Sequence, residues 1–269
     1  MTTRALLNAN ALSEVDPWDE LRRFTPARIA IGRSGASLPT RALLDFDLAH
    51  ARARDAVHAP LDTAPLCSGL SALGMATVEV QSAAGDRAQY LLRPDLGRRL
   101  SPRSAHALQA LADTQRQAPD LLVVIADGLS ALAVQSHALP VCEQLLRQAP
   151  AGWRCDTAVL ASQARVALGD PCGALLGAGM VAVLIGERPG LSSADSLGIY
   201  LTARPRAGLT DADRNCISNI HRAGLSAAQA AAKLWWLACE ARRLGRTGVD
   251  LKDESDVLLP DVRPALPDI

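Results

Sequence analysis

A chain of 269 residues is long enough for one large domain or two ordinary ones with a real core. Apolar residues make up 49% and charged residues 21%, and 28 basic against 28 acidic side chains leave a formal net charge of zero. That balance removes any whole-chain argument for nucleic acid or an anionic membrane, and 3% aromatics offer few platforms for stacking bases. No apolar run reaches membrane-spanning length, and no signal peptide is visible at Met1. The six cysteines (67, 142, 155, 172, 216 and 239) form no CxxC pair and no zinc-site spacing. Reduced, mostly buried thiols and a cytoplasmic location are expected.

Residues 1–20 read as a polar, irregular lead-in. Residues 21–115 read as a smaller, mainly helical N-terminal domain with short strands. Ser37-Leu38-Pro39-Thr40 supplies a cap and an early proline for a helix running to about His58, with Leu44, Leu48 and Ala51 on one face. The arginines between Arg22 and Arg54 interleave with Asp45, Asp47 and Asp55, as on a solvated helix face or a protein interface. Pro60 to Gly74 is rich in turn formers. Thr77–Gln81 and Gln89–Leu92 are candidate strands around an Ala-Gly-Asp turn, and Ser101-Pro102 opens another helix with Leu108 and Leu111 inward.

From residue 116 to 252 strands and helices alternate. Leu121 to Ala126 is an apolar run that stops at Asp127-Gly128, followed by helical sequence on either side of Pro140. Thr157–Leu160, Val181–Ile185 and Gly198–Thr202 are further strands, with a short helix around Gly173–Leu176. Ser226 and Gln229 form a capping box, and apolar residues at 230, 234, 237, 241 and 244 continue the helix until Gly245. The expected fold class is α/β, a Rossmann-like parallel sheet domain preceded by the smaller helical one. Residues 253–269 read as an acidic, flexible tail.

The third strand ends abruptly at Gly186, and Glu187-Arg188-Pro189-Gly190 follows. Polar groups at the carboxyl edge of a parallel sheet are placed where open α/β folds bind ligands. Glu187 and Arg188 could pair with each other or reach such a ligand, and function is favoured. Asp127-Gly128-Leu129-Ser130 is read equally as a ligand-binding turn and as an ordinary turn capped by Ser130. Cys216 would need a histidine to act as a nucleophile; His221 lies nearby in sequence, but spacing alone favours a buried structural cysteine. Trp235-Trp236 reads as core plus interface. No GxxxxGK[ST] loop, no GxGxxG after the first strand and no HExxH occurs, and no Ser/His/Asp set can be assembled. These residues describe a binder of a large polar molecule without its own catalytic machinery.

Six stretches then carry a resemblance. They are LRRFTPARIAIGRSG from Leu21 with LPTR from Leu38, HARARDAV from His50, LRPDLGRR from Leu92, VIADGLS from Val124, LIGERPGL from Leu184 and DRNCISNI from Asp213. Together, in order, they resemble the small (light) subunit family of ethanolamine ammonia-lyase. The resemblance implies an adenosylcobalamin-dependent lyase that converts ethanolamine to acetaldehyde and ammonia through a radical made by cobalt–carbon homolysis. It puts the catalytic residues on a large partner subunit and none on this chain. The small subunit's Rossmann-like domain would cover the lower, nucleotide-bearing side of the corrin, with the protein positioning a cofactor that carries the reaction.

Motif by motif, the cofactor contacts implied for this chain are Val166, Glu187 and Cys216. Glu187 would make a polar contact with a side-chain amide or the nucleotide loop; Val166 and Cys216 would give apolar contact. The DxHxxG pattern of proteins that replace the cofactor's own base is absent, so base-on binding without a cobalt ligand from this chain is expected. The implied partner is the large subunit, in a hetero-oligomer on the order of six large and six small subunits. Some family members carry an N-terminal extension addressing a bacterial microcompartment; only twenty residues precede Leu21, and encapsulation stays open. Rival readings are a non-catalytic cobalamin carrier or reactivation module, and a stand-alone nucleotide-dependent enzyme.

Overall fold

The computed structural model of the chain describes residues 18–25 and 27–255. Most of the lead-in and of the tail expected at the two ends lies outside the described residues. The first helices are α1 (Thr40–His58) and α2 (Thr63–Ala72). Turn formers were expected from Pro60 to Gly74, yet α2 forms there because Asp62 accepts from Ala64 N and Leu66 and Leu70, one turn apart, are both buried. Strand β1 (Ala76–Gln81) follows, then α3 (Arg87–Leu92) where a strand was expected. The cause is local: Asp86 accepts from Gln89 N at 2.7 Å, and Gln89 reaches back to Gly85 N at 2.7 Å. That exchange starts a helix and not a hairpin.

The remaining elements are α4 (Pro102–Thr114), β2 (Leu121–Ala126), α5 (Ala131–Arg147), β3 (Thr157–Ser162), α6 (Gly169–Leu175), β4 (Met180–Gly186), β5 (Leu197–Ala203), β6 (Asn215–Ile220) and α7 (Ala227–Leu244). The class is α/β, as expected. One six-stranded sheet has the order β1-β3-β2-β4-β5-β6. Its edge strand β1 comes from the 21–115 segment and pairs in parallel with β3. β1, β3, β2 and β4 are mutually parallel, as expected of a Rossmann-like sheet, and β5 and β6 add an antiparallel pair at one side. The 187–196 connection holds no helix and is too short for a parallel crossover, so β5 can only return beside β4.

Both sheet faces are covered. Leu121, Val123, Ile125, Leu160, Leu184 and Ile199 point to the side packed by α2, α5 and α7. Leu122, Val124, Val159, Val181 and Val183 face α4 and α6 on the other. This two-sided burial is why the central strands read as unbroken apolar runs. α5 runs straight through Pro140, which is exposed. Trp235 is buried, donates to Leu145 O at 2.9 Å and meets Trp153 edge-on at 5.2 Å. Among the described residues no helix is long and apolar enough to cross a membrane.

The capping box of α7 is present, with Ser226 and Gln229 each accepting from the other's backbone N–H. Ser226→Ala is expected to cost about 1 kcal/mol, read as a lower urea midpoint at unchanged slope.

Candidate functional site

Because β1 to β4 are parallel, their carboxyl ends share one edge, and the loops that follow them interlock there. Asp127, after β2, accepts from Gln163 N and Ala164 N, both at 2.9 Å, and so fastens the loop after β3. Leu129 N donates to Gly186 O at 2.9 Å, fastening the same turn to the end of β4. Gly128 sits at φ +54°, and a side chain there would collide with the Gly186 carbonyl. Ser130 caps α5 by accepting from Ala133 N at 3.2 Å, and its hydroxyl donates to Ala194 O at 2.8 Å. Of the two readings of this turn, the cap is therefore present, inside a wider lattice of loop contacts.

A cavity of about 400 Å³ opens at this edge, lined among others by Gly128, Arg165, Val166, Glu187 and Tyr200. Val166 is half-buried at the start of a 3-10 turn, Val166–Leu168. The Glu187 backbone N–H donates to Ser196 O at 3.0 Å, and its carboxylate accepts from the Ser196 hydroxyl at 2.5 Å. A side chain at Gly198 would come within 2.8 Å of Glu187 Oε1, so the glycine makes room for the carboxylate. Arg188 is exposed, and among the described residues no ion pair joins it to Glu187.

Cys216 was expected in a loop past the fourth strand and as a buried cysteine. It lies instead on edge strand β6, exposed, directly opposite Tyr200 on β5. Only Ile217 and Ile220 of β6 face the core, so its polar outer face hides the strand pattern. Desolvation of the sulfur pushes the Cys216 thiol up; the Tyr200 hydroxyl opposes this and the Glu187 carboxylate adds to it. A thiol held neutral is a soft contact and not a nucleophile. His221 does not reach it: Nε2 meets Asn219 Oδ1 at 2.7 Å, and Nδ1 accepts from Ala223 N. Three other cysteines (142, 155 and 172) are buried, Cys67 and Cys239 partly so.

Val166 and Glu187 thus share one cavity, and Cys216 stands one cross-strand pair away through Tyr200. Three contributors escaped the sequence. Tyr90 was assigned to the wrong element; it is fully buried, and its hydroxyl donates to Ala164 O at 3.1 Å. Arg165 carried no pattern. Tyr200 was missed although a signal for it existed, since it alternates with the core residues Ile199 and Leu201 and so faces the opposite side. A larger cavity of about 590 Å³, between Arg98, Leu100, Pro171, Leu175 and Leu209, contains none of the expected contacts.

Fold and site together define an α/β protein with a cavity at the carboxyl edge of its sheet, where open α/β folds bind ligands. Comparison with known proteins names the family: the family model of the ethanolamine ammonia-lyase light chain matches residues 15–252. The chain is 56% identical over 243 residues to the ethanolamine ammonia-lyase small subunit of Pseudomonas fluorescens (strain SBW25), covering 90% of this chain and 88% of that one. It is 57% identical over 243 residues to that of Azotobacter vinelandii (strain DJ), covering 90% of each. With that of Rhodopseudomonas palustris (strain BisA53) it shares 59% over 237 residues, 88% of this chain and 90% of the other. This chain belongs to the ethanolamine ammonia-lyase light-chain family.

Proposed function

We propose that this chain acts as the small subunit of an adenosylcobalamin-dependent ethanolamine ammonia-lyase, holding the cofactor between its sheet edge and a large catalytic subunit. The observation that supports this best is the convergence of Val166, Glu187 and, through Tyr200, Cys216 on one edge. A cavity of about 400 Å³ suits a projecting part of a corrinoid and not the whole of it, which fits a cofactor shared between two chains. The donor set suits it too: a carboxylate for an amide N–H, an arginine, and soft apolar contacts from Val166 and Cys216. When bound, adenosylcobalamin supplies the radical chemistry.

This chain's residues bind and orient. Glu187, fixed by Ser196, accepts from a corrin side-chain amide or from the nucleotide loop. Val166 and Cys216 exclude water along the cofactor's edge. With no DxHxxG histidine, this chain would supply no ligand to cobalt, in keeping with the base-on reading. The assembly called for is a symmetric hetero-oligomer, free in the cytoplasm or enclosed in a bacterial microcompartment.

The test is ethanolamine-dependent acetaldehyde formation with added adenosylcobalamin. Activity is expected only when this chain and the large subunit are both present. Activity of the large subunit alone, or tight cobalamin binding by this chain without any complex, would favour the carrier reading instead. Within the complex, Glu187→Ala is expected to raise the cofactor Kd about tenfold, the worth of one hydrogen bond to a charged group. Co-elution of the subunits should be unchanged, because the Glu187 backbone bond to Ser196 remains. An unaltered Kd in the assembled variant would remove Glu187 from the site.

A further inference from the structure

Two arginines lie over the ring of buried Tyr90, Arg87 at 4.9 Å and Arg165 at 4.4 Å from its centroid. They differ in what else they do. Arg87 is committed to the fold: Nε donates to Val57 O at 2.7 Å and Nη1 to Gly128 O at 2.8 Å, with Asp127 at 3.4 Å. Arg165 has no such commitment. Among the described residues its guanidinium meets no carboxylate and makes no hydrogen bond; its Nε is buried without a partner, as are Arg87 Nη2 and Arg214 Nε, but those two arginines bond through their other nitrogens. Only its backbone is tied down, with N donating to Gly97 O and O accepting from Leu168 N.

A half-buried guanidinium is costly unless something satisfies it. The other buried arginine shows the usual solution: Arg214 forms two bonds to Asp170, each 2.7 Å. Arg165 lines the cavity at the sheet edge instead, where the charged lining is two arginines (165 and 188) against one glutamate (187). The excess is one positive charge. Stacking on Tyr90 holds the planar fork in place before any ligand arrives, which lowers the entropy lost on binding.

We propose that Arg165 is an anion-binding residue of this site and receives the phosphodiester of the cobalamin nucleotide loop. The inference rests on the corrinoid function proposed above and adds a residue and a chemical group to it. A phosphodiester is the anionic group on an otherwise amide-decorated cofactor, and a pre-oriented guanidinium suits phosphate oxygens. The neighbouring turn explains the position: Val166 touches the cofactor's apolar edge, and the preceding residue is aimed into the same cavity.

The experiment uses the complex of this chain with the large subunit, as wild type, Arg165→Gln and Arg165→Lys. Each is titrated with cyanocobalamin and with dicyanocobinamide, a corrinoid lacking the phosphodiester and nucleotide, and bound corrinoid is measured by equilibrium dialysis. Arg165→Gln is expected to raise the Kd for cyanocobalamin about tenfold to a hundredfold, the range for a hydrogen bond to a charged group. The Kd for dicyanocobinamide should stay within about twofold, since the group Arg165 meets is missing from it. Arg165→Lys, which keeps the charge but loses the fork and the stacking, should fall between. Equal losses for both corrinoids, or none for either, would overturn the inference. So would impaired subunit assembly with no discrimination between corrinoids, which would make a partner carboxylate the anion. A wild-type complex that binds neither corrinoid would overturn the proposed function itself, a result separate from any difference between the variants.

Discussion

Asp170→Ala should lower the stability of this chain by about 3–5 kcal/mol, the cost of stranding a buried charge. Asp170 stands in the first turn of α6, and Arg214 immediately precedes β6. The Arg214 side chain is 1% exposed and also donates to Thr202 Oγ1 at 2.9 Å. The pair thus ties the segment that follows Val166 to the strand that carries Cys216. Removing the carboxylate leaves the buried guanidinium with the Thr202 hydroxyl and, 3.7 Å from Nε, the exposed Asp211 carboxylate, which replaces only part of the two lost bonds. Urea unfolding measures the loss, and the double variant Asp170→Ala/Arg214→Met should recover most of it, because the stranded charge is gone. A single-variant cost under about 1 kcal/mol would mean that Arg214 finds solvent easily and that the pair does not organise the site. Corrinoid binding should weaken in the single variant and return in the double one.

The sheet was legible where burial is two-sided. Leu121 to Ala126 and Val181 to Ile185 are apolar on both faces because helices cover both, and their ends at Asp127 and Gly186 marked the edge where the cavity lies. The capping box of α7 and the stop at Gly245 were legible because each is a local exchange of backbone partners. Apart from α3, whose start is a local exchange, what escaped depends on partners distant in sequence. β1 is an edge strand whose pairing with β3 joins residues 76–81 to 157–162, and no local pattern announces that. β6 alternates poorly because one side of an edge strand is free to be polar. The site divides similarly. Glu187 was visible because a carboxylate after an apolar strand is unusual, and Val166 and Cys216 came only from the resemblance. Arg165 becomes notable only when its lack of a partner can be set beside the commitments of Arg87.

Gly186→Ala tests whether the interlocked loops hold the cavity open, and its effect should be large for a substitution of one methyl group. An added Cβ would collide with the Ser130 carbonyl and come 2.7 Å from Asp127 O. Both are backbone atoms, so no side-chain rotation relieves the clash. The turn after β2 must move away from the end of β4 and give up the 2.9 Å bond from Leu129 N to Gly186 O. Overpacking of this kind, with a lost hydrogen bond, should cost about 3–4 kcal/mol. Gly190→Ala is the control: its Cβ would lie 3.4 Å from Ser193 O, an ordinary contact, and stability should change by less than about 0.5 kcal/mol. Gly128 and Leu129 line the cavity and Glu187 follows Gly186 directly, so displacing the turn also moves the cavity wall that the proposed cofactor contacts share. Gly186→Ala should therefore weaken corrinoid binding in the assembled complex, even at temperatures where the variant remains folded. Lost stability with an unchanged Kd would separate the two roles, leaving the glycine to the fold and the cavity to side chains alone.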